Sequence, residues 1–349
     1  MKRNLVGTYL CLAALSGAGV ACENEDDPVE ELEAEAVLDT KAYVGSELDA
    51  LLKATQDIQA AAPAADDDGW NSKDDKAAVD KMRAAWNEAR DAYEHIEGSI
   101  AIVFPEQDVS TDERYDGFIE GEGDDNLFDG DGVTGMHAIE RILWAGEHPA
   151  SVVAFEKELD GYKEAAFPKT RAEAEAFKTE LAQKLIDDVK QMRDEFKPLR
   201  LGTPDAFRGM IDSMNEQLEK VTLATTAEDE SRYAQRTLDD MRANLEGAEK
   251  VYGAFRQWVL ADAGEDVDEE IQAGFEKIAK EYAANKGAAI PAPPDGFNPD
   301  EPSDAHLKTP YGKLYDLLTS ETDIENEDSL ISIMSRAADD MGIPALGED

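Results

Sequence analysis

The stretch MRAAWNEARDAYEHIEGSI, residues 82–100, decides how the chain is read. Trp86, Arg90, Tyr93, Glu97 and Ile100 recur at alternating spacings of four and three, the repeat of a single helix face. Trp86, Tyr93 and Ile100 belong in a core, so Arg90 and Glu97 are carried inward with them, and Glu94 lies one turn from Glu97 on an adjoining strip. A carboxylate on a packed face must be paired with a cation, protonated or bound to a metal. For this helix taken alone, an Arg–Glu pair is the plain explanation.

Helical spacing extends outward from there in both directions. The chain is rich in Ala, Glu, Lys, Leu and Arg, and runs that alternate with the period of a strand are scarce. The spacing predicts helices near 38–62, 73–101, 133–146, 150–162, 170–197, 204–225, 229–261, 267–285, 306–319 and 326–341. Thr203-Pro204-Asp205 supplies a helix start with an N-cap, a first-turn proline and an early acid. Pro63 and the acidic DDDG at 66–69 break the first pair of helices. Residues 104–132 read as a long loop rich in Asp, Glu and Gly, longer than a connector needs. A second loop at 285–306 is proline-rich and semi-extended. The expected fold class is all-α, two packed antiparallel bundles of about 38–200 and 201–345.

The first residues, MKRNLVGTYLCLAALSGAGVACENEDD, have the order of a secretory signal: basic, apolar, small, then acidic. Gly19-Val20-Ala21-Cys22 resembles a bacterial lipobox with glycine where leucine is usual. The expectation is a signal peptide over 1–21, diacylglycerol on Cys22, and a lipidated acidic tether over 22–37. The chain would then be exported and anchored in the bacterial envelope, at the outer membrane or facing the periplasm. Of the two cysteines, Cys11 lies inside the signal, so an acylated Cys22 leaves no thiol for a disulfide or a Cys-ligated metal.

The full chain carries a formal charge of −45, and without residues 1–21 it has 32 basic against 79 acidic groups, or −47. Such a surface repels nucleic acid and anionic lipid and attracts cations. It also follows from the simple need for solubility, so charge by itself does not identify a metal binder.

A second segment, GMHAIERILW (135–144), sets His137 and Glu140 three apart on one face of an otherwise apolar helix, with Trp144 a turn further on. A helix apolar nearly all round is buried, so its polar pair must find partners inside. Imidazole nitrogen with carboxylate oxygen suits iron, zinc or copper. Taken with an inward Glu97, a metal shell and a hydrogen-bonded core histidine account for these residues equally well. Mixed nitrogen and oxygen donors favour iron or zinc over copper(I), and affinity is expected to fall as pH drops through the histidine range.

Three stretches together carry a resemblance. Trp86, Ala89, Arg90, Tyr93 and Glu97, then TGMHAIERILW (134–144), then YAQRTLDDMRANLEGAEKVYGAF (233–255), in this order, resemble the imelysin-like family across most of the chain after the signal. The family hallmark Gly-x-His-x-x-Glu falls on Gly135, His137 and Glu140, and YEHIE (93–97) is similar to the corresponding segment of its iron-uptake branch. The resemblance implies an imelysin-like domain over 38–345, two bundles with a metal cleft between them, and a metal site of His137, Glu140, Glu97 and Glu94. A further acidic ligand from the segment before the His helix falls on Asp112. It also implies iron acquisition or iron regulation, with iron as the expected metal, zinc as the alternative, and iron-transport proteins as partners.

Peptidase activity is implied only by the name under which imelysin was first described. A zinc peptidase wants a His-Glu-x-x-His arrangement, which does not occur, and there are four histidines in the chain. The segment DGDGVTGMHAIE (129–140) matches a calcium loop at Asp129, Asp131 and Glu140, but Val133 stands for a ligand and Thr134 for the turn glycine. No phosphate loop or nucleophile elbow appears. The expectation is therefore an exported metal-binding lipoprotein without catalytic residues. A metallopeptidase and a helical interaction module with a structural His–Glu pair are the alternatives.

Overall fold

Every regular element among the described residues of this computed structural model is a helix. Those residues are 28–71, 73–119, 124 and 126–347; the signal segment, Cys22 and residues 23–27 lie outside them. None of the helices is long and apolar enough to cross a membrane.

The first helix, α1, runs from Pro28 to Ala61 and so begins well before residue 38. The run EELEAEAV, read as tether, is made of strong helix formers, and Glu30 and Glu31 lie in the first turn, where the helix dipole favours acids. The long helix expected at 73–101 is two: α2 over Lys76–Glu94 and α3 over Glu97–Val103, with a turn at His95-Ile96. The face read from the heptad spacing survives the break, since Trp86, Arg90, Tyr93, Glu97 and Ile100 are all buried.

The stretch expected as a loop at 104–132 contains two short helices, α4 over Pro105–Asp112 and α5 over Tyr115–Ile119. Pro105 stands in the first turn of α4 with Glu106 and Asp108 beside it, a helix start that the acidic composition hid. Next come α6 over Gly135–Leu143, α7 over Ala150–Glu156 and α8 over Arg171–Ala176, which continues through a π-type turn into α9 over Ala182–Phe196. The capping box expected of a good helix start appears at Thr170 and Glu173. Thr203, by contrast, makes no capping bond, because its own backbone is already helical; Asp205 accepts from the Gly202 amide instead, at 3.2 Å.

The second half comprises α10 over Gly209–Leu223, α11 over Thr237–Asp262, α12 over Glu265–Ala284, α13 over Pro310–Glu321 and α14 over Leu330–Asp340. Residues 229–236, expected as the start of a helix, form a turn with Gln235 at φ 55°. The long α11 packs against α1 and α2 on one side and against α10 and α12 on the other, within one continuous apolar cluster.

Two close approaches place the polar interior. The α3 and α10 backbones cross at Gly98 and Gly209, where an added Cβ on Gly98 would lie 2.3 Å from the Gly209 carbonyl oxygen. That crossing brings the Glu97 end of α3 alongside α10. Gly135 opens α6 at φ +81°, and a Cβ there would lie 2.5 Å from the Thr111 carbonyl oxygen. The glycine of the Gly-x-His-x-x-Glu pattern is thus required twice, for its backbone angle and for the approach of α4 to α6.

Candidate metal centre

All of α6 is buried, His137 and Glu140 included, as the apolar pattern around them requires. Its first turn abuts the last turn of α4, and the Thr134 hydroxyl donates to the Ser110 carbonyl at 3.2 Å. Asp112 therefore stands beside His137, with Oδ1 3.5 Å from Nε2.

Glu140 lies on the opposite side of the imidazole. Its Oε2 is 2.8 Å from His137 Nδ1. Its Oε1 accepts from the Tyr233 amide at 2.9 Å and the Ala234 amide at 2.7 Å. Those amides are free to donate because residues 229–236 are a turn and not a helix. Glu140 thus fixes the ring and fastens the 230–236 turn to α6, and it does not converge with the carboxylates on the Nε2 side. With Nδ1 set against Glu140, the ring turns Nε2 toward Asp112 and Glu230. That nitrogen is buried and has no hydrogen-bond partner.

Two overlapping sets of donors meet here, each with ligand atoms within 4.8 Å of one another: Asp112, His137 and Glu230, and Glu94, Glu97, Asp112 and Glu230. Of the residues singled out in the sequence, the structure brings Asp112 together with His137 in one set and with Glu94 and Glu97 in the other, and it sets Glu140 behind the ring. Sequence reasoning missed Glu230, Lys220 and Asp108. Lys220 carried a signal, since it falls beside the Met210, Met214, Gln217 and Val221 stripe of α10, where a lysine is out of place. Glu230 carried none, because nothing local marks the turn that aims it inward.

Two cations share the cluster. Arg90 pairs with Glu94 and Asp112, and its guanidinium lies 3.3 Å from Glu230 and 3.7 Å from Asp240. The Arg90–Glu pair that α2 alone suggested is therefore present, but as one edge of a larger network. Lys220 Nζ lies 2.6 Å from Glu230, 3.1 Å from Glu94 and 3.1 Å from Glu97. Asn244 adds a donor to Glu97 at 2.9 Å, and the Tyr93 hydroxyl donates to Asp108.

Burial is the largest influence on the titration of these groups, and the charges decide the rest. Burial pushes His137 well below its ordinary value, helped by Arg90, so the imidazole stays neutral. Burial raises Asp112 well above the usual carboxylate range despite Arg90, and raises Asp108 to about 6. Glu140 is likewise raised by burial, against the pull of the Ala234 amide. Glu230 goes the other way: burial opposes its charge, but Lys220 and Arg90 outweigh it and hold the carboxyl at about 2. A neutral imidazole beside an ionised carboxylate is a fitting pair of donors for a metal cation.

The centre opens to solvent through a pocket of about 300 Å³ whose walls include Glu97, Asp108, Asp112, Lys220 and Glu230. The calcium-loop pattern does not come together, since Glu140 is spent on His137 and the turn amides while Asp129 bonds to the Asp131 amide and to Asn126.

Comparison with known proteins adds an independent line. The family model described as Imelysin matches residues 35–314. Over 211 residues the chain is 25% identical to the "Iron uptake system component EfeM" of Bacillus subtilis strain 168, covering 59% of this chain and 44% of that protein. Over 109 residues it is 28% identical to an "Efem/EfeO family lipoprotein" of Staphylococcus aureus strain MSSA476, covering 30% of this chain and 37% of that protein. These alignments span less than half the length of either curated relative.

Proposed function

The chain belongs to the imelysin family, and from that premise we propose that it is an exported, lipid-anchored protein that captures iron at the cell envelope for uptake. The observation that carries the reading is the buried, unpartnered Nε2 of His137, held by Glu140 so that it faces Asp112 and Glu230. A buried nitrogen facing carboxylates needs a proton or a metal cation between them, and a metal would satisfy all of these groups at once. His137, Asp112 and Glu230 would hold the metal, with Glu97 and Glu94 at its far side and Glu140 orienting the imidazole. One imidazole among several carboxylates suits iron, with zinc as competitor.

Iron is cargo in this reading, delivered to transport partners in the envelope, as the name of the Bacillus subtilis relative suggests. The lipid would sit on Cys22, and the acidic residues around the pocket would draw cations toward it. A site with one imidazole is poorly suited to activating water, compared with the neutral-histidine shells of hydrolytic zinc.

The test is a titration of residues 23–349 with ferrous, ferric and zinc ions, followed by metal analysis. One tight ion per chain is expected, unchanged by substituting the exposed acid Glu269→Ala. A protein that takes up no metal would overturn the proposal. Chelator-sensitive cleavage of casein, lost in Glu140→Gln, would favour the metallopeptidase instead.

A further inference from the structure

Lys220 stands where a cation-binding pocket least needs a lysine. Its ammonium lies within 2.6–3.1 Å of carboxylate oxygens from three separate segments: Glu94 at the end of α2, Glu97 at the start of α3, and Glu230 in the turn before α11. These are three of the four carboxylates whose donor atoms converge. A metal bound to that set would lie against the ammonium, and two cations at such a distance repel strongly where water is scarce.

The two resident cations differ in their freedom to leave. Arg90 has no exposed surface and is enclosed by Glu94, Asp112, Glu230 and Asp240. Lys220 forms part of the pocket wall, and its ammonium rides on a flexible four-carbon stem. On the same helix, Glu216 precedes Lys220 by four positions, lines the same pocket with its edge exposed, and has no ion pair within 4 Å among the described residues; burial and the nearby Glu97 raise its carboxyl to about 8, against the pull of Lys220. A glutamate four residues before a lysine is the favoured order for a pair on a helix surface. The structure thus holds the lysine in one position and, one helical turn away, a carboxyl that ionises as the ammonium approaches it and leaves Glu97.

We propose that Lys220 is a displaceable counter-cation that neutralises the carboxylates of the metal-free centre and swings out to Glu216 when the metal enters. This rests on the metal reading of the centre and adds to it a built-in competitor. The lysine keeps the acidic interior folded without metal and sets a threshold that weakly held monovalent ions do not cross, because they cannot outcompete a resident ammonium. It also gives the site a means of release, since the ammonium can return to the carboxylates as the metal leaves for its next carrier.

The test uses zinc as a redox-inert probe on wild type, Lys220→Met, Glu216→Gln and His137→Ala, each checked for helical content. Lys220→Met keeps the stem and removes the charge, and it is expected to bind zinc about tenfold more tightly or better. Glu216→Gln is expected to bind about twofold more weakly, having lost the outer acceptor. In wild type, labelling of Lys220 by an amine-reactive ester, read by peptide mass spectrometry, is expected to be slow without zinc and fast with it. If His137→Ala loses zinc while Lys220→Met gains no affinity and Lys220 stays protected in the loaded protein, displacement is overturned and the metal centre stands. If His137→Ala binds zinc as tightly as wild type, the metal centre itself fails and displacement with it.

Discussion

In His137→Ala, tight metal binding is expected to disappear, with affinity for iron and zinc falling about a hundredfold or more. The substitution removes the one nitrogen among the converging donors of the described residues and leaves Glu140 without the ring it orients. Saturating metal should raise the melting temperature of the wild type, since a ligand at about a hundred times its dissociation constant adds about 2.7 kcal/mol. It should leave the mutant unmoved. The pH dependence follows from the carboxylates and not from the histidine range that an imidazole ligand suggested. Burial keeps His137 neutral to well below its ordinary value, so it does not take up a proton near pH 6. Asp108 does, at about 6, and Asp112 is raised in the same direction. Protons at these acids compete with metal, so affinity should decline as pH falls through about 6 and continue to decline below it. Equal binding by wild type and by a His137→Ala/Glu140→Ala double mutant, measured calorimetrically, would reduce the pair to a packing feature.

Arg90→Met is expected to cost about 3–5 kcal/mol of stability in the metal-free protein, the range for removing one partner of a buried ionic network. The guanidinium is in contact with Glu94 and Asp112 and close to Glu230 and Asp240. Methionine fills much of the space and pairs with none of them. The sign of the pH effect is fixed by what the orphaned acids do. Asp112 and Asp240 already have folded-state values raised by burial against the opposing pull of Arg90. Without Arg90 they rise further, and the folded state then holds protons that the unfolded state has released. Stability present in acid is therefore lost as pH rises through those raised values, and the mutant's deficit should be largest at neutral pH and smaller near pH 4. Urea unfolding at the two pH values measures this, and a deficit independent of pH would mean that the charge network is not what Arg90 supports.

How much of this was legible varies residue by residue. The inward face at Trp86, Arg90, Tyr93, Glu97 and Ile100 was readable because helical spacing survives a break in the helix. The burial of His137 and Glu140 was readable because the residues between and around them are apolar. The short helix α4 was concealed, since acids that composition marks as a loop are also what a helix start prefers. The two halves expected of the chain are joined by α11, which packs on helices from both, a relation that no local pattern encodes. The turn at 229–236 was misread for a comparable reason: the distant Glu140 carboxylate takes the Tyr233 and Ala234 amides and the Thr237 hydroxyl takes that of Ser231, contacts that no local pattern announces. Glu230, which that turn delivers to the centre, could not be seen without it.

The bond from Glu140 to the Tyr233 and Ala234 amides has a consequence for how the molecule moves. Most protected amides report the opening of a helix, but these two are shielded by a side chain, so their hydrogens exchange only when the carboxylate lets go. Glu140 lets go only if the imidazole it steadies or the turn it fastens gives way. Two backbone signals far from any helix interior are thus clocks for the opening of the centre. Their exchange should slow when metal is bound, while amides in the middle of α12 keep their own rate. Uniform slowing across the chain would show instead that the metal steadies the whole fold and that the turn has no opening of its own.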